Sequence, residues 1–276
     1  MRIRLSLLLW LAAAGAAAAA AFVWAGVYNI AATDQHTRPV YQLLDVAMRR
    51  AVKLRAADIE APDLGDPRRA GNGLALFRQH CVQCHGAPGV APEPFALGLT
   101  PAPANLVITA REWPAAELFW IIKYGAKMTG MPAWKYRLDD NQVWDVVAFL
   151  AELPALSPRQ YAERSAEPAQ AGPATAAATR EGSQEAGKQA ITQYLCATCH
   201  VIPGIVSAEK QVGPPLNGIA TRETIAGILP NNPENMVAWL RHPQRFAPHS
   251  AMPALGLSEQ DARDIAAYLY RLEDVD

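Results

Sequence analysis

Residues 81–85 read Cys-Val-Gln-Cys-His and residues 196–200 read Cys-Ala-Thr-Cys-His; together they hold all four cysteines of the 276-residue chain. Cys-x-x-Cys-His is the pattern of covalent c-type haem attachment, in which two thiols bond to the porphyrin edge and the histidine binds iron. Other uses of four such cysteines fit the pattern poorly. Structural zinc takes its ligands from paired motifs at finger-like separation, whereas more than a hundred residues part these two. A thioredoxin-like pair follows a strand in an α/β pattern, but the flanking sequence is helical and Gly/Pro-looped. A disulfide across two residues closes a strained, reactive loop rather than a staple. Two covalently attached haem c groups are therefore expected, one on Cys81, Cys84 and His85, the other on Cys196, Cys199 and His200.

Iron that passes electrons without binding oxygen or peroxide needs a ligand on each face. A soft, neutral thioether on the second face favours Fe(II) and raises the potential. Of the six methionines, Met1 starts the chain and Met48 precedes both motifs. Met131, in Thr129-Gly130-Met131-Pro132-Ala133-Trp134, follows His85 by 46 residues, and Met252, in Ser250-Ala251-Met252-Pro253-Ala254-Leu255, follows His200 by 52. Each precedes a proline, which stiffens a loop that must hold a weak ligand. Met131 and Met252 are the expected second ligands, with Met128 a competitor in the first loop. Met236, beside Val237 and Leu240, reads as helix core. His80, His242 and His249 read as surface or loop histidines.

From Leu5 to Val27 the chain has 23 uncharged residues, about 35 Å as a helix and enough to cross a hydrocarbon core of about 30 Å. Arg2 and Arg4 precede it and orient the N-terminus to the cytoplasm. A cleaved signal peptide is the rival, but its apolar stretch is shorter, about 7–15 residues. An uncleaved anchor over residues 1–30 is expected, with everything after it outside the cytoplasm. Net charge is −1, which points away from nucleic acid. In residues 31–65, Val40, Leu43, Leu44, Ala47, Ala51 and Leu54 recur at helical spacing between Arg49, Arg50, Lys53 and Arg55. This pattern predicts a basic amphipathic helix, read as a spacer packed on the first domain in preference to a helix in contact with lipid or a partner.

Two modules follow, over 66–154 and 183–276, and their parts repeat: a leading helix, the Cys-x-x-Cys-His motif, a Gly/Pro loop, a methionine and a closing helix. The first closing helix has Asp139 as N-cap and stops at Pro154; the second opens with Ser258-x-x-Asp261 in capping-box spacing. Gly73 stands eight residues before Cys81 but Gly187 nine before Cys196, which suggests a shifted start for the second leading helix. Residues 155–182, rich in Ala, Pro, Glu, Ser and Gln, read as an aperiodic linker. The expected fold is all-α: two small helical domains behind one N-terminal transmembrane helix.

Both modules resemble class I c-type cytochrome domains, over nearly everything from Asp66 onward. The second, with Tyr194-x-Cys196-x-x-Cys199-His200, Gly213-Pro214-Pro215-Leu216 and Leu229-Pro230-Asn231-Asn232-Pro233-Glu234-Asn235, resembles the cytochrome c domain of subunit II of caa-type haem–copper oxidases. The first, with Lys127-Met128-Thr129-Gly130-Met131-Pro132-Ala133-Trp134, is similar to cytochrome domains of membrane-anchored dihaem subunits. The resemblance implies that the carbonyl of Pro214 accepts a hydrogen bond from His200. Module one lacks a clean Gly-Pro-x-Leu, and Pro103 is the expected counterpart.

The resemblance implies a single-pass protein of a bacterial inner membrane with both haem domains in the periplasm. It would carry electrons to or within a respiratory terminal oxidase, with no small-molecule substrate and no bond chemistry of its own. A cytochrome subunit of a periplasmic dehydrogenase complex is an alternative with the same internal chemistry. A dihaem peroxidase is another, but it needs an open iron position, against which a Met-Pro loop in each module argues. Lys123, Lys127 and Lys135 flank the first methionine loop and read either as a docking surface for an acidic partner or as solubilising charge.

Overall fold

The computed structural model describes residues 5–166, 180–206 and 212–272. Arg2 and Arg4, invoked above for orientation, lie outside the described residues, as do residues 167–179 of the expected linker. The chain divides between residues 172 and 173 into two compact units. Helices build both, and the β-structure among the described residues is an isolated bridge between Ala87 and Val90 in the first unit and one two-residue antiparallel strand pair in the second.

The first unit opens with α1 (Leu5–Trp24), whose 20 residues span about 30 Å. Residues 6–24 have a mean hydropathy of 2.0 and bury nothing against the protein. A short connector follows, tied by Tyr28 Oη to His36 Nδ1 at 2.8 Å and by Thr100 Oγ1, which donates to the carbonyl of Ala32 at 2.7 Å. Next comes α2 (Arg38–Arg55), which buries Val52, with Ala56 just beyond its end, and leaves Leu43, Leu44 and Leu54 exposed. The leucine face is not the one that packs on the unit. The helix rests on the unit through a different edge, where Arg49 pairs with Glu112 and lies over the Trp113 ring at 5.5 Å.

Then come α3 (Pro67–His80) and α4 (Val82–His85), α5 (Leu106–Glu112), α6 (Ala115–Tyr124), α7 (Asp140–Glu152) and α8 (Pro158–Ala166). The Asp66 carboxylate caps α3 by accepting from Arg68 N, and Pro67 supplies the preset first-turn φ. A reciprocal box caps α7: Asp139 accepts from Gln142 N and Gln142 Oε1 accepts from Asp139 N, both at 2.9 Å. α3 and α7 cross at Gly73, where a Cβ would stand 1.9 Å from the main-chain oxygen of Asp145. Four residues on, Phe77 meets Phe149 at 5.1 Å between ring centroids, both fully buried. Each such ring contributes roughly 1.5–3 kcal/mol by leaving water.

The stretch expected to be structureless from residue 155 instead begins with α8. Tyr161 of that helix is buried in the first unit's core and Arg164 pairs with Glu152 at 2.7 Å. A polar, alanine-rich composition hid a single buried aromatic.

The second unit repeats the plan with α9 (Gln184–Gln193), β1 (Thr224–Ile225), β2 (Leu229–Pro230), α10 (Pro233–Arg241), α11 (Pro243–Phe246) and α12 (Glu259–Leu269). Gly187 sits against the carbonyl of Asp264 as Gly73 does against Asp145, and in both cases the aspartate lies six residues past the N-cap. The leading helix of the second unit thus crosses its closing helix in the same register, although it starts three residues before its glycine where α3 starts six before. Its extra residue is absorbed after the helix, at Leu195, which takes a left-handed turn with φ 58°. Ser258 caps α12 by accepting from Asp261 N at 3.0 Å. Asp261 does not reach back to complete the expected box. Its buried carboxylate accepts instead from the hydroxyls of Ser258 (2.7 Å) and Tyr194 (2.8 Å), because a desolvated carboxylate takes the strongest donors within reach.

Candidate haem-binding sites

In the first unit, α3 delivers the chain into a single turn in which the N–H groups of Cys84 and His85 both donate to Cys81 O, at 3.1 and 3.0 Å. That turn brings two thiols and an imidazole together. His85 Nδ1 lies 2.8 Å from the carbonyl oxygen of Ala104. A carbonyl can only accept, so Nδ1 carries the proton and Nε2 keeps its lone pair for a metal. The acceptor is one residue beyond the expected Pro103. Burial, partly opposed by that hydrogen bond, holds the His85 pKa below its ordinary value and keeps the ring neutral.

The second unit builds the same turn from 3-10 geometry, with Cys199 N and His200 N donating to Cys196 O at 3.2 and 3.0 Å. His200 Nδ1 lies 2.7 Å from the carbonyl of Pro214. Gly213, just before it, packs flat on the imidazole: a Cβ there would come within 2.4 Å of Cε1 and 2.9 Å of Nε2. Main-chain bonds from Gly213 N to Cys199 O (2.8 Å) and from Leu216 N to Val201 O (2.8 Å) hold this loop to the motif.

The two methionine loops share a device that the sequence displayed but that was not read from it. Met131 N donates to Thr129 Oγ1 at 3.0 Å, and Met252 N to Ser250 Oγ at 3.2 Å. A hydroxyl two residues upstream thus ties down each loop main chain. Met131 and Cys81 both pack against the first unit's apolar core, and Met252 and Cys196 both pack against the second's. Met128 is 89% exposed, at φ 62°. Met236 is buried in α10, and His242 and His249 are exposed. His80, half-buried at the end of α3, meets Trp134 at 4.7 Å between ring centroids, the planes tilted by 45°.

None of the four cysteines forms a disulfide. Burial, with the neighbouring Cys84 as a lesser cause, pushes Cys81 up to about 12. Burial likewise pushes Cys196 up to about 11. A redox-active pair needs the opposite, a thiolate stabilised below its ordinary range. Among the described residues no group of three or more His, Cys, Asp or Glu side chains could hold a metal ion, which leaves the zinc alternative without a ligand set. The chemistry that fits is a porphyrin bonded to both thiols, with iron on the outward-facing Nε2.

Comparison with known proteins agrees. Residues 68–150 match the family described as cytochrome c oxidase, cbb3-type, subunit III, and residues 184–273 match the family described as cytochrome c. Both units are cytochrome c domains. A stretch of 88 residues, 32% of this chain, is 39% identical to "Cytochrome c oxidase subunit 2" of Alkalihalophilus pseudofirmus. A stretch of 89 residues, 31% of the chain, is 33% identical to the protein of the same description from Bacillus sp. (strain PS3). In each case the match spans a quarter of the relative's length. No solved structure matches. Cytochrome c domains hold haem covalently and transfer electrons, so this chain is an electron-transport protein.

Several residues that organise these cytochrome c domains were not singled out from the sequence. Asp145 accepts from Arg69 (2.8 Å) and Asn72, and Asp264 from Arg180 (2.7 Å) and Ser183 N (2.7 Å), so each helix crossing carries a clamped carboxylate. Asn231 donates to the carbonyls of Ile219 and Arg222, both at 2.8 Å, and accepts from Tyr270 Oη at 2.7 Å. Tyr268 Oη donates to Pro203 O at 2.7 Å, pinning the chain just after the second motif. Lys123 leaves the expected docking set: its side chain is 15% exposed and its Nζ lies 2.6 Å from Asp140. Lys127 and Lys135 remain on the surface, the latter over the rings of Tyr124 and Tyr136.

Proposed function

We propose that the chain is a membrane-anchored dihaem cytochrome c that carries electrons on the periplasmic side of the membrane, to or within a haem–copper oxidase. The observation that carries this is the duplicated imidazole: in each domain Nδ1 is held by a main-chain carbonyl, at 2.8 Å and 2.7 Å, which leaves the Nε2 lone pair for a metal beside the motif's two cysteines. Haem c, when bound, supplies an iron that alternates between Fe(II) and Fe(III). The chain's residues do the rest. Cys81 with Cys84, and Cys196 with Cys199, would tether the group. His85 with Met131, and His200 with Met252, would hold its iron, in domains that run from about 66 to 154 and from 183 to 276. The apolar clusters around Phe77 and Tyr268 keep water away from it.

The apolar helix α1 supports a single-pass anchor, and Arg2 and Arg4 before it support the outward placement of both domains. Similarity to oxidase subunits favours an oxidase partner over a dehydrogenase. Three measurements test the proposal. Full-length protein, denatured and extracted with acid–acetone, should retain two haems per chain by pyridine haemochrome; one haem would refute the dihaem assignment. Carbonate-washed membranes should keep the protein, and a mature N-terminus near residue 21 or later would refute the anchor. Detergent-solubilised membranes should yield it together with a haem–copper oxidase, and recovery with a dehydrogenase instead would refute that partner.

A further inference from the structure

α2 is an 18-residue amphipathic helix whose apolar face is not used by the protein that carries it. Leu43, Leu44 and Leu54 are 69%, 48% and 74% exposed, and Ala47 lies in the same stripe, a turn beyond Leu43. The packed edge is a different one, formed by Val52 and Ala56, and the Arg49 contacts with Glu112 and Trp113 fix it. Leucines left in water on a helix already docked elsewhere are stabilised only by something outside the domain.

Two further observations say what that is. First, 13 residues separate the end of α1 from the start of this helix, and that connector is held to the domain through Ala32. The apolar stripe therefore cannot stray far from the end of the membrane-spanning segment, where Trp24 and Tyr28 sit as interfacial aromatics. Second, the stripe is flanked by Arg50, Lys53 and Arg55. Arg50 and Lys53 have no side-chain partner among the described residues, and Arg55 bonds only the carbonyl of Ala51 in its own helix. Apolar stripe, cationic margins and proximity to a span are together the signature of a helix lying in the headgroup layer.

We infer that α2 lies on the membrane surface, with Leu43, Leu44, Ala47 and Leu54 inserted into the lipid boundary and Arg50 and Lys53 on anionic headgroups. The partner is an anionic lipid surface. The helix thereby holds the first cytochrome c domain at the bilayer rather than letting it hang from a flexible stalk. This rests on the anchor assignment made above for α1.

The test uses full-length haem-loaded protein in phosphatidylcholine vesicles, with and without phosphatidylglycerol. Because the four native cysteines are consumed by haem, a single added cysteine can carry a spin label: Leu43→Cys or Leu54→Cys on the stripe, Gln42→Cys on the opposite side, Leu11→Cys in α1. The stripe labels should be several-fold more accessible to oxygen than to a nickel chelate, as the Leu11→Cys label is, with the Gln42→Cys label reversed. Phosphatidylglycerol should raise the oxygen preference, and Arg50→Glu with Lys53→Glu should abolish that rise. Stripe labels open to the nickel chelate while the α1 label is in lipid would overturn the inference and leave the anchor standing. Stripe labels closed to both reagents would overturn it in favour of a protein cover. No response to phosphatidylglycerol would overturn the headgroup assignment. An α1 label in water would instead remove the anchor itself.

Discussion

Gly187 presses directly on the main chain of Asp264: a Cβ built on the glycine would stand 1.9 Å from that residue's carbonyl oxygen. The same relationship joins Gly73 to Asp145 in the first domain. The obstruction in each is backbone, held in a helix and unable to swing aside. Gly187→Ala and Gly73→Ala should therefore destabilise, because overpacking at the upper end of its range, about 3 kcal/mol, outweighs the roughly 1 kcal/mol by which alanine favours a helix over glycine. Guanidinium unfolding of the full chain followed by circular dichroism should show one phase moved to lower denaturant by each variant, a different phase for each. A gain in stability would mean that the helices do not cross at these glycines.

Gly213 offers a more local test. It needs no unusual φ, so alanine there is limited only by the imidazole of His200, 2.4 Å from the added carbon. Gly213→Ala should tilt that ring, weaken its hold on iron, and let the second haem alone bind carbon monoxide. Gly98→Ala, with open space around it, should leave both haems as in the parent.

Met131→Ala and Met252→Ala should each remove the near-infrared band of sulfur–iron ligation from one haem and open that haem to carbon monoxide, while Met128→Ala should do neither. The contrast follows from the packing of Met131 against the first domain's core and the exposure of Met128. Loss of the band in Met128→Ala would exchange their roles.

Tyr270 gives a pH-dependent prediction. Burial, with the charge of Glu234 second, pushes its phenol up to about 12 from 10.0. Below pH 10 the phenol is protonated in both states and its bond to Asn231 is present. From pH 10 towards about 12, the unfolded chain releases a proton that the folded chain keeps, so the stabilisation is lost as pH rises. Tyr270→Phe should lower stability at neutral pH by about 1 kcal/mol, and parent and variant should converge in that alkaline window. A gap that persists there would show that Tyr270 acts through packing alone.

Much of this was legible in the chain. The anchor helix, the leading and closing helices, the Asp139 and Ser258 caps and the two-domain plan follow from hydrophobic period and cap chemistry, which act within a few residues. The helix α8 was hidden because one buried Tyr161 leaves no period in an alanine-rich stretch. The unused face of α2 was hidden because periodicity reports that a helix is amphipathic, not which neighbour its apolar side meets. The start of the second leading helix does shift relative to Gly187, but spacing counts residues and could not show that the crossing at Asp264 keeps its register, the extra residue being taken up by a left-handed turn at Leu195.

The sequence by itself determined the covalent chemistry, since thiol, thiol and imidazole within five residues can be brought together by a single turn wherever that turn lies. It also determined the order of the parts, because each carries its own local signal. The tertiary structure alone decided which carbonyl meets each imidazole, Ala104 in one domain and Pro214 in the other, and which carboxylates clamp the helix crossings. Those contacts join residues 14 to 84 positions apart. Their partners are chosen by the path of loops and the angle of packed helices, and neither leaves a periodic trace in the chain.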